Sequence, residues 1–296
     1  MLRRYAWMPL AALFCIAPAA HAAPPLDLES QEGSTEAMVK MRCSLDPSED
    51  VILWWSGTLF AQLPGKAPSA LMGFEGYNIC RSEKLEDGTW RLATRELTFY
   101  RDLRTGEILG EWDNPLNGRR VEVVDVANDP VNTVLNAPGR SFPVPWVEAG
   151  DQLLVTLNIP LSYPNPLQPD AWPEESSGPL YVGSEHFMFF VPRAAMEDAT
   201  LSQAPVTYGW TRVGPWLPWM RMGQAEGNLL YIGQGNKRQA ISELPDDIQA
   251  LVRDRYPEYA TAPREWVQPN ATSWTEYRRR MERLRGEAAG DGRSGD

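Results

Sequence analysis

Apolar and polar residues alternate along much of this chain with the two-residue period of a half-buried strand. Nine stretches rich in β-branched and aromatic residues recur at 51–63, 70–80, 89–100, 107–112, 120–126, 152–159, 180–191, 206–213 and 228–233. Gly, Pro, Asn and Asp separate them, with almost no helical periodicity between, which predicts antiparallel pairing. Within 89–100, Trp90, Leu92, Leu97 and Phe99 interleave with Arg91, Thr94, Glu96 and Thr98, a dry face against a wet one. The parity slips near Ala93-Thr94-Arg95, the mark of a bulge. Asp87-Gly88 and the stretch from Asp102 to Gly106 read as tight turns. The expected fold is mainly β, an antiparallel β-barrel or strongly curved sheet of about nine strands, with a short N-terminal helix and C-terminal helices.

Helical signals sit at the two ends. Ser34-Thr35-Glu36 opens a short helix through Met41, Ser242-Glu243-Leu244-Pro245 precedes a helix over 246–255, and 273–285 is amphipathic. Residues 128–150 and 160–178 are dense in Pro, Asn and Gly and read as long loops, the usual place for functional rims or lids. The predicted organisation is a signal peptide over 1–22, an extended acidic leader over 23–33, a single β-rich domain with C-terminal helices over 34–285, and a Gly-rich, charged, disordered tail over 286–296.

The signal assignment rests on Arg3-Arg4, an apolar run from Ala6 to Ala20 interrupted by Pro9, and the small-x-small site Ala20-His21-Ala22. Such a run is poorly suited to span a bilayer, which takes about 20 apolar residues, so no stable membrane anchor is expected after cleavage. Phe14 before Cys15 is the wrong residue for lipid attachment. The arginine pair leaves both general secretion and the twin-arginine route open, and either delivers a periplasmic or secreted protein. Of 28 basic residues, losing Arg3 and Arg4 leaves 26 against 39 acidic, a balance of −13. Polyanions are repelled by such a chain, which disfavours nucleic acid and anionic lipid. Two cysteines, Cys43 and Cys80, remain in a compartment where disulfides persist, and a bridge or two buried thiols are both compatible with them.

The chemistry-bearing residues are sparse. With His186 the one histidine beyond the signal, sites built from several imidazoles are excluded. Gly233-Gln234-Gly235 lacks the rest of a dinucleotide fingerprint, and Gly183-Ser184-Glu185 lacks the second Gly of a nucleophile elbow, so no cofactor is expected. Strand parity puts Ser184 and His186 on one face with Glu185 pointing away. His186 is a candidate acid or base inside a barrel, oriented by Glu75, Glu96 or Asp129, with an ordinary sheet histidine the plainer explanation. Glu75, Tyr77 and Arg95 form a second candidate catalytic group, with cross-strand ion pairing the plain explanation. Asp125, Asn128, Asp129 and Asn132 offer hard oxygens for calcium without an EF-hand spacing, and turn formation explains the same letters. Trp210, Trp216, Trp219, Met220 and Met222 crowd one segment, and Trp54 adjoins Trp55 on an early strand. With Tyr100 they either build core or line a cavity for a small hydrophobic or aromatic molecule.

Three stretches resemble an uncharacterised bacterial family, the domain of unknown function 1838 family. They are Gly73-Phe74-Glu75-Gly76-Tyr77-Asn78; Tyr100-Arg101-Asp102 with Thr105-Gly106-Glu107 and Trp112-Asp113-Asn114-Pro115; and Ala127-Asn128-Asp129-Pro130-Val131-Asn132. The likeness extends to Trp216–Met222 and implies an exported architecture without a settled activity. Three functions therefore stand side by side: a carrier holding a small hydrophobic ligand in a Trp/Met-lined barrel, a cofactor-free isomerase, cyclase or hydrolase working through His186 or Glu75, and a structural or assembly partner without a cavity.

Overall fold

A computed structural model describes residues 26–139 and 144–291; the signal segment expected over 1–22 and the last residues, 292–296, lie outside the described residues. The first element is α1 (Gln31–Arg42), which begins ahead of the Ser34 start predicted from sequence. Ser30 is the reason: its Oγ accepts from the Gly33 N–H at 3.0 Å, and Glu32 sits in the first turn where the helix dipole favours an acid. The chain before it folds back in a turn so close that Asp27 O lies 2.2 Å from where a Cβ on Gly33 would sit. The leader is thus not extended as far as residue 33.

Three long strands follow, β1 (Val51–Gln62), β2 (Ser69–Lys84) and β3 (Trp90–Arg101). Five short ones come next: β4 (Glu111–Asp113), β5 (Arg120–Glu122), β6 (Val126–Asn128), β7 (Thr133–Leu135) and β8 (Trp146–Ala149). Then come β9 (Gln152–Pro164), β10 (Leu180–Pro192), the short helix α2 (Arg193–Glu197), β11 (Thr207–Gly214) and β12 (Asn228–Arg238). Helices α3 (Asp246–Arg255) and α4 (Ser273–Asp291) close the chain, α4 running into the stretch expected to be a disordered tail.

Ten strands form one antiparallel sheet in the order β6-β3-β2-β1-β12-β11-β10-β9-β8, with β7 also on β3, and β4 and β5 make a separate hairpin. The sheet is open: β6 and β8 end it without pairing to each other, and it is not strongly curled, so the barrel expectation is corrected. Alternation says that each strand has a buried face but not whether the first strand meets the last. β3 is regular against β2 from Trp90 to Arg101, so the predicted bulge is absent; the irregularity lies between Leu59 and Phe60 of β1. The apparent slip arises because both faces of β3 are covered: Trp90 and Leu92 face one way, Leu97 and Phe99 the other.

Three apolar clusters follow from this. On the face here called inner, α1 lies over Leu53, Leu92, Leu153, Val155 and Phe189, pinned by the Cys43–Cys80 disulfide, whose Cα atoms are 5.7 Å apart. At the other end of that face, Leu59, Phe74, Tyr100, Tyr181 and Tyr231 pack under Trp216, Trp219, Met220 and Trp274 of α4. On the outer face, α3 covers Ile52, Tyr77, Ile79, Leu97 and Phe99.

Candidate functional site

Between the two inner-face clusters runs a band where charged residues occupy the dry register. The inward positions of β10 read Tyr181, Gly183, Glu185, Phe187, Phe189 and Val191; those of β11 read Tyr208, Trp210 and Arg212; those of β3 read Trp90, Leu92, Thr94, Glu96, Thr98 and Tyr100. Cross-strand register brings Glu185 opposite Arg212, Arg212 opposite Tyr231, and Phe187 opposite Trp210. Arg42 enters from the last turn of α1, close enough to feel Glu185 and Tyr208. Glu96, Glu185, Arg42, Arg212, Trp55 and Trp210 are all half-buried while the clusters on either side are sealed. Solvent therefore reaches the middle of this face.

The electrostatics are those of a dense, partly desolvated group. Burial pushes the Glu96 carboxyl above its ordinary value; the hydrogen bond from Asn128 Nδ2 at 2.9 Å opposes this, the charge of Glu185 adds to it and that of Arg212 subtracts. For Arg212, burial works against the charge, but Tyr181, Glu185 and Tyr231 outweigh it and raise the value further. The guanidinium donates to the Tyr181 hydroxyl, stands 3.5 Å from Glu185 and lies over the Tyr231 ring at 5.5 Å. Its Nε has no acceptor, nor do the indole nitrogens of Trp55 and Trp210. Burial holds the Tyr100, Tyr208 and Tyr231 phenols protonated, and Tyr208 donates to Trp54 O at 3.1 Å. Trp210 is ringed by Trp55 at 6.4 Å, Phe187 at 6.2 Å and Phe74 at 5.5 Å. Gly57 and Gly233 make room for Phe74, whose Cζ lies 2.6 and 2.9 Å from where their Cβ atoms would be.

Most residues singled out from sequence lie elsewhere. His186 is exposed on the outer face, its ring nitrogens 2.8 Å from Asn158 Oδ1 and 3.3 Å from Ser184 Oγ, with no carboxylate orienting it. Parity placed Ser184 and His186 together correctly, but the face they share is the outer one, and Glu185 is the inward residue. Glu75, Tyr77 and Arg95 also face outward. Glu75 accepts from Trp54 Nε1 at 2.8 Å and Arg101 Nε at 2.7 Å; Tyr77 donates to Tyr259 O at 2.9 Å inside the core; Arg95 binds Asp129 at 2.8 Å. Each is held by a hydrogen bond or ion pair that ties the outer face to its neighbours.

The calcium candidates disperse likewise. Asp125 takes the Tyr256 hydroxyl, Asn128 donates to Glu96, Asp129 pairs with Arg95, and Asn132 accepts from Thr94 N while donating to Val267 O. Among the described residues no three His, Cys, Asp or Glu side chains gather to hold a metal. Of the proposed ligand-binding set, Trp210 and Tyr100 reach the inner face; Trp54 is on the outer face, and Trp216, Trp219 and Met220 are buried in the cluster that closes one end, with Met222 packed against it. Sequence reading passed over Arg42, Glu185, Arg212 and Tyr231. The signal that identifies three of these four was present: an ionisable or phenolic residue in the apolar register of a strand.

Residues 48–281 match the family described as "Protein of unknown function (DUF1838)". The chain belongs to this family. The match spans every strand of the sheet and ends within α4, so it includes Glu96, Glu185 and Arg212 but not α1 with Arg42. No curated protein matches the chain. Among solved structures, the crystal structure of MucB in complex with MucA(peri) is 11% identical, with 82% of this chain and 99% of that chain covered, at a TM-score of 0.10. So low a score carries no argument about fold or function.

Proposed function

We propose that the protein binds a small planar molecule on the inner face of the sheet. Its apolar surface rests against Trp55, Phe187 and Trp210, and its polar end meets Arg212 and Glu185. The observation that carries this reading is the half-buried band of charged and indole groups between two sealed apolar clusters. Polar groups in such a place cost stability unless paired, and Arg212 Nε, Trp55 Nε1 and Trp210 Nε1 have no acceptor among the described residues. An apolar wall with a few convergent polar groups is the ordinary makeup of a ligand site. The test is a mass-spectrometric survey of small molecules co-purifying with the native chain and with Arg212→Met and Trp54→Phe variants. The expected result is a compound present with the native protein and Trp54→Phe and absent with Arg212→Met. If all three preparations carry the same compounds, or none, the reading fails.

A second reading, a cofactor-free acid–base enzyme, is favoured by one further observation. Burial keeps a proton on Glu96 at a pH where an ordinary glutamate has lost it, beside a second carboxyl on Glu185. The acid is then Glu96 rather than His186 or Glu75. This reading requires that the retained compound be converted and that Glu96→Gln stop conversion without stopping retention. We infer too that the protein is exported and works in an oxidising compartment, which the Cys43–Cys80 bridge supports. Among the described residues no helix is long and apolar enough to cross a membrane.

A further inference from the structure

The outer face of the sheet is covered only in part. α3 lies over β1, β2 and β3, whereas none of the outward side chains of β8 to β12 enters any of the three apolar clusters. Eleven large apolar side chains are exposed among the described residues, and five of them stand in that outward register: Val147, Leu180, Val182, Met188 and Ile232. Val182 is 61% exposed and Ile232 49%, so this is a face and not a scatter of half-covered edges. Charge is missing from it as well. In the outward register of β8 to β12 the ionisable side chains are His186 and, at the end of β12, Arg238 lying over the Trp54 ring, in a chain whose formal net charge is −11. Gly209, beside Met188 at the middle of the face, gives an independent sign. Every other glycine within a described strand has an atom within 3.3 Å of the place its Cβ would take, while nothing lies within 4 Å of that place at Gly209. Neither packing within the chain nor a positive φ asks for glycine there. A glycine inside a strand weakens it and marks a site where another backbone or a ligand comes close.

We propose that this face is the interface of a homodimer, two copies stacking their β9–β12 surfaces face to face, with Gly209 forming a hollow that receives an apolar side chain of the facing copy. A cationic partner finds no carboxylate on it, and an anionic lipid surface finds no cluster of basic residues. The complement of a neutral, apolar face is the same face, and it is here that two acidic chains approach with the least repulsion. The area suffices: strand spacing and rise give about 600 Å² per copy over β9 to β12 and the adjoining part of β1, or about 1,200 Å² in all, the lower bound of stable specific interfaces. Such a dimer leaves the inner face of each copy open, so it stands apart from the ligand reading.

Sedimentation velocity of the full chain tests it. From about 0.1 to 100 µM one species should give way to another of twice the mass, with the midpoint in the micromolar range that so small an interface supports. Gly209→Glu and Ile232→Lys set like charges against each other across the contact and should each weaken the dimer tenfold or more. Leu103→Glu, which replaces an equally exposed apolar residue outside this face, and Arg212→Met on the inner face should dimerise as the native chain does. Each variant's melting temperature is measured at the dilute end; should Ile232→Lys unfold the chain, Gly209→Glu, whose side chain enters open space, still decides. The proposal is overturned if the native chain stays single at the highest concentration, if Gly209→Glu dimerises like the native chain, or if Arg212→Met abolishes the dimer, which would move the contact to the inner face. A chain that stays single but floats with neutral phosphatidylcholine vesicles, and loses that with Ile232→Lys, overturns it in favour of lipid.

Discussion

The two faces of the sheet each carry a carboxylate, an arginine and an indole within neighbouring strands, and the two sets are wired differently. On the outer face Glu75 receives both Trp54 and Arg101, and Arg101 in turn donates to both oxygens of Asp247 at 2.6 and 3.1 Å. On the inner face the Arg212–Glu185 approach is 3.5 Å, Arg212 Nε is unpaired, and Glu96 has one side-chain donor, Asn128, with a second carboxyl nearby. The outer set is complete and ties α3 to the sheet. The inner set is incomplete, and groups kept in such a state are a load on stability that a protein retains where function uses them. Residue type does not separate these two sets; the unfilled bonds within them do.

That contrast breaks or holds in the laboratory. The largest effect should come from replacing Cys43 and Cys80 together by serine, which releases the helix covering one end of the inner face: the chain-entropy model gives a loss of about 4 kcal/mol for a loop of this length, with a sequence separation of 37, read from denaturant midpoints. Next, Glu75→Ala leaves Arg101 Nε and the Trp54 indole without their acceptor, though Asp247 still holds the rest of the guanidinium, and should cost about 2 kcal/mol, while the compound retained by the native protein stays bound. A Glu75 variant that loses the compound but keeps its stability would reverse the assignment of the two faces.

Glu96→Gln should do the opposite and gain about 1 kcal/mol at neutral pH, since it removes a desolvated charge and its repulsion by Glu185. The sign with pH follows from linkage: the folded chain holds the Glu96 proton more tightly than the unfolded one. This residue's contribution is therefore full at low pH and is lost as pH rises from the ordinary glutamate value through its raised value. Melting curves across that range should show native protein losing stability relative to Glu96→Gln. A constant difference between the two would mean that Glu96 holds its proton no more tightly in the folded chain than in the unfolded one.

Much of the sheet can be read directly from the chain. The long strands β1, β2, β3, β10 and β12 alternate or carry dense β-branched and aromatic runs, and the turns at Gly88 and Gly106 have the positive φ their residues foretell. β7 and β8 are not legible, because three or four residues inside Pro- and Asn-rich stretches become strands only when an existing edge offers them partners. The aromatic crowd around Trp216 and Trp219 drew attention by composition, yet these side chains close one end of a core. Glu185 was dismissed by the same parity argument that correctly joined Ser184 to His186, because parity assigns residues to two faces without naming which one is covered.

The sequence by itself determined that the chain is built of antiparallel strands, which residues share a side of each strand, and where the two C-terminal helices begin. These are local consequences of backbone sterics and the two-residue pleat. Tertiary structure alone decided that the sheet stays open, that α1 and the Trp216–Met220 segment cover opposite ends of one face, and that Arg42, Glu96, Glu185 and Arg212 converge in the gap between them. Those residues lie far apart along the chain, and their meeting depends on strand order and on which face the helices choose to cover. Both are set by the burial of the whole apolar surface at once, which no local pattern encodes.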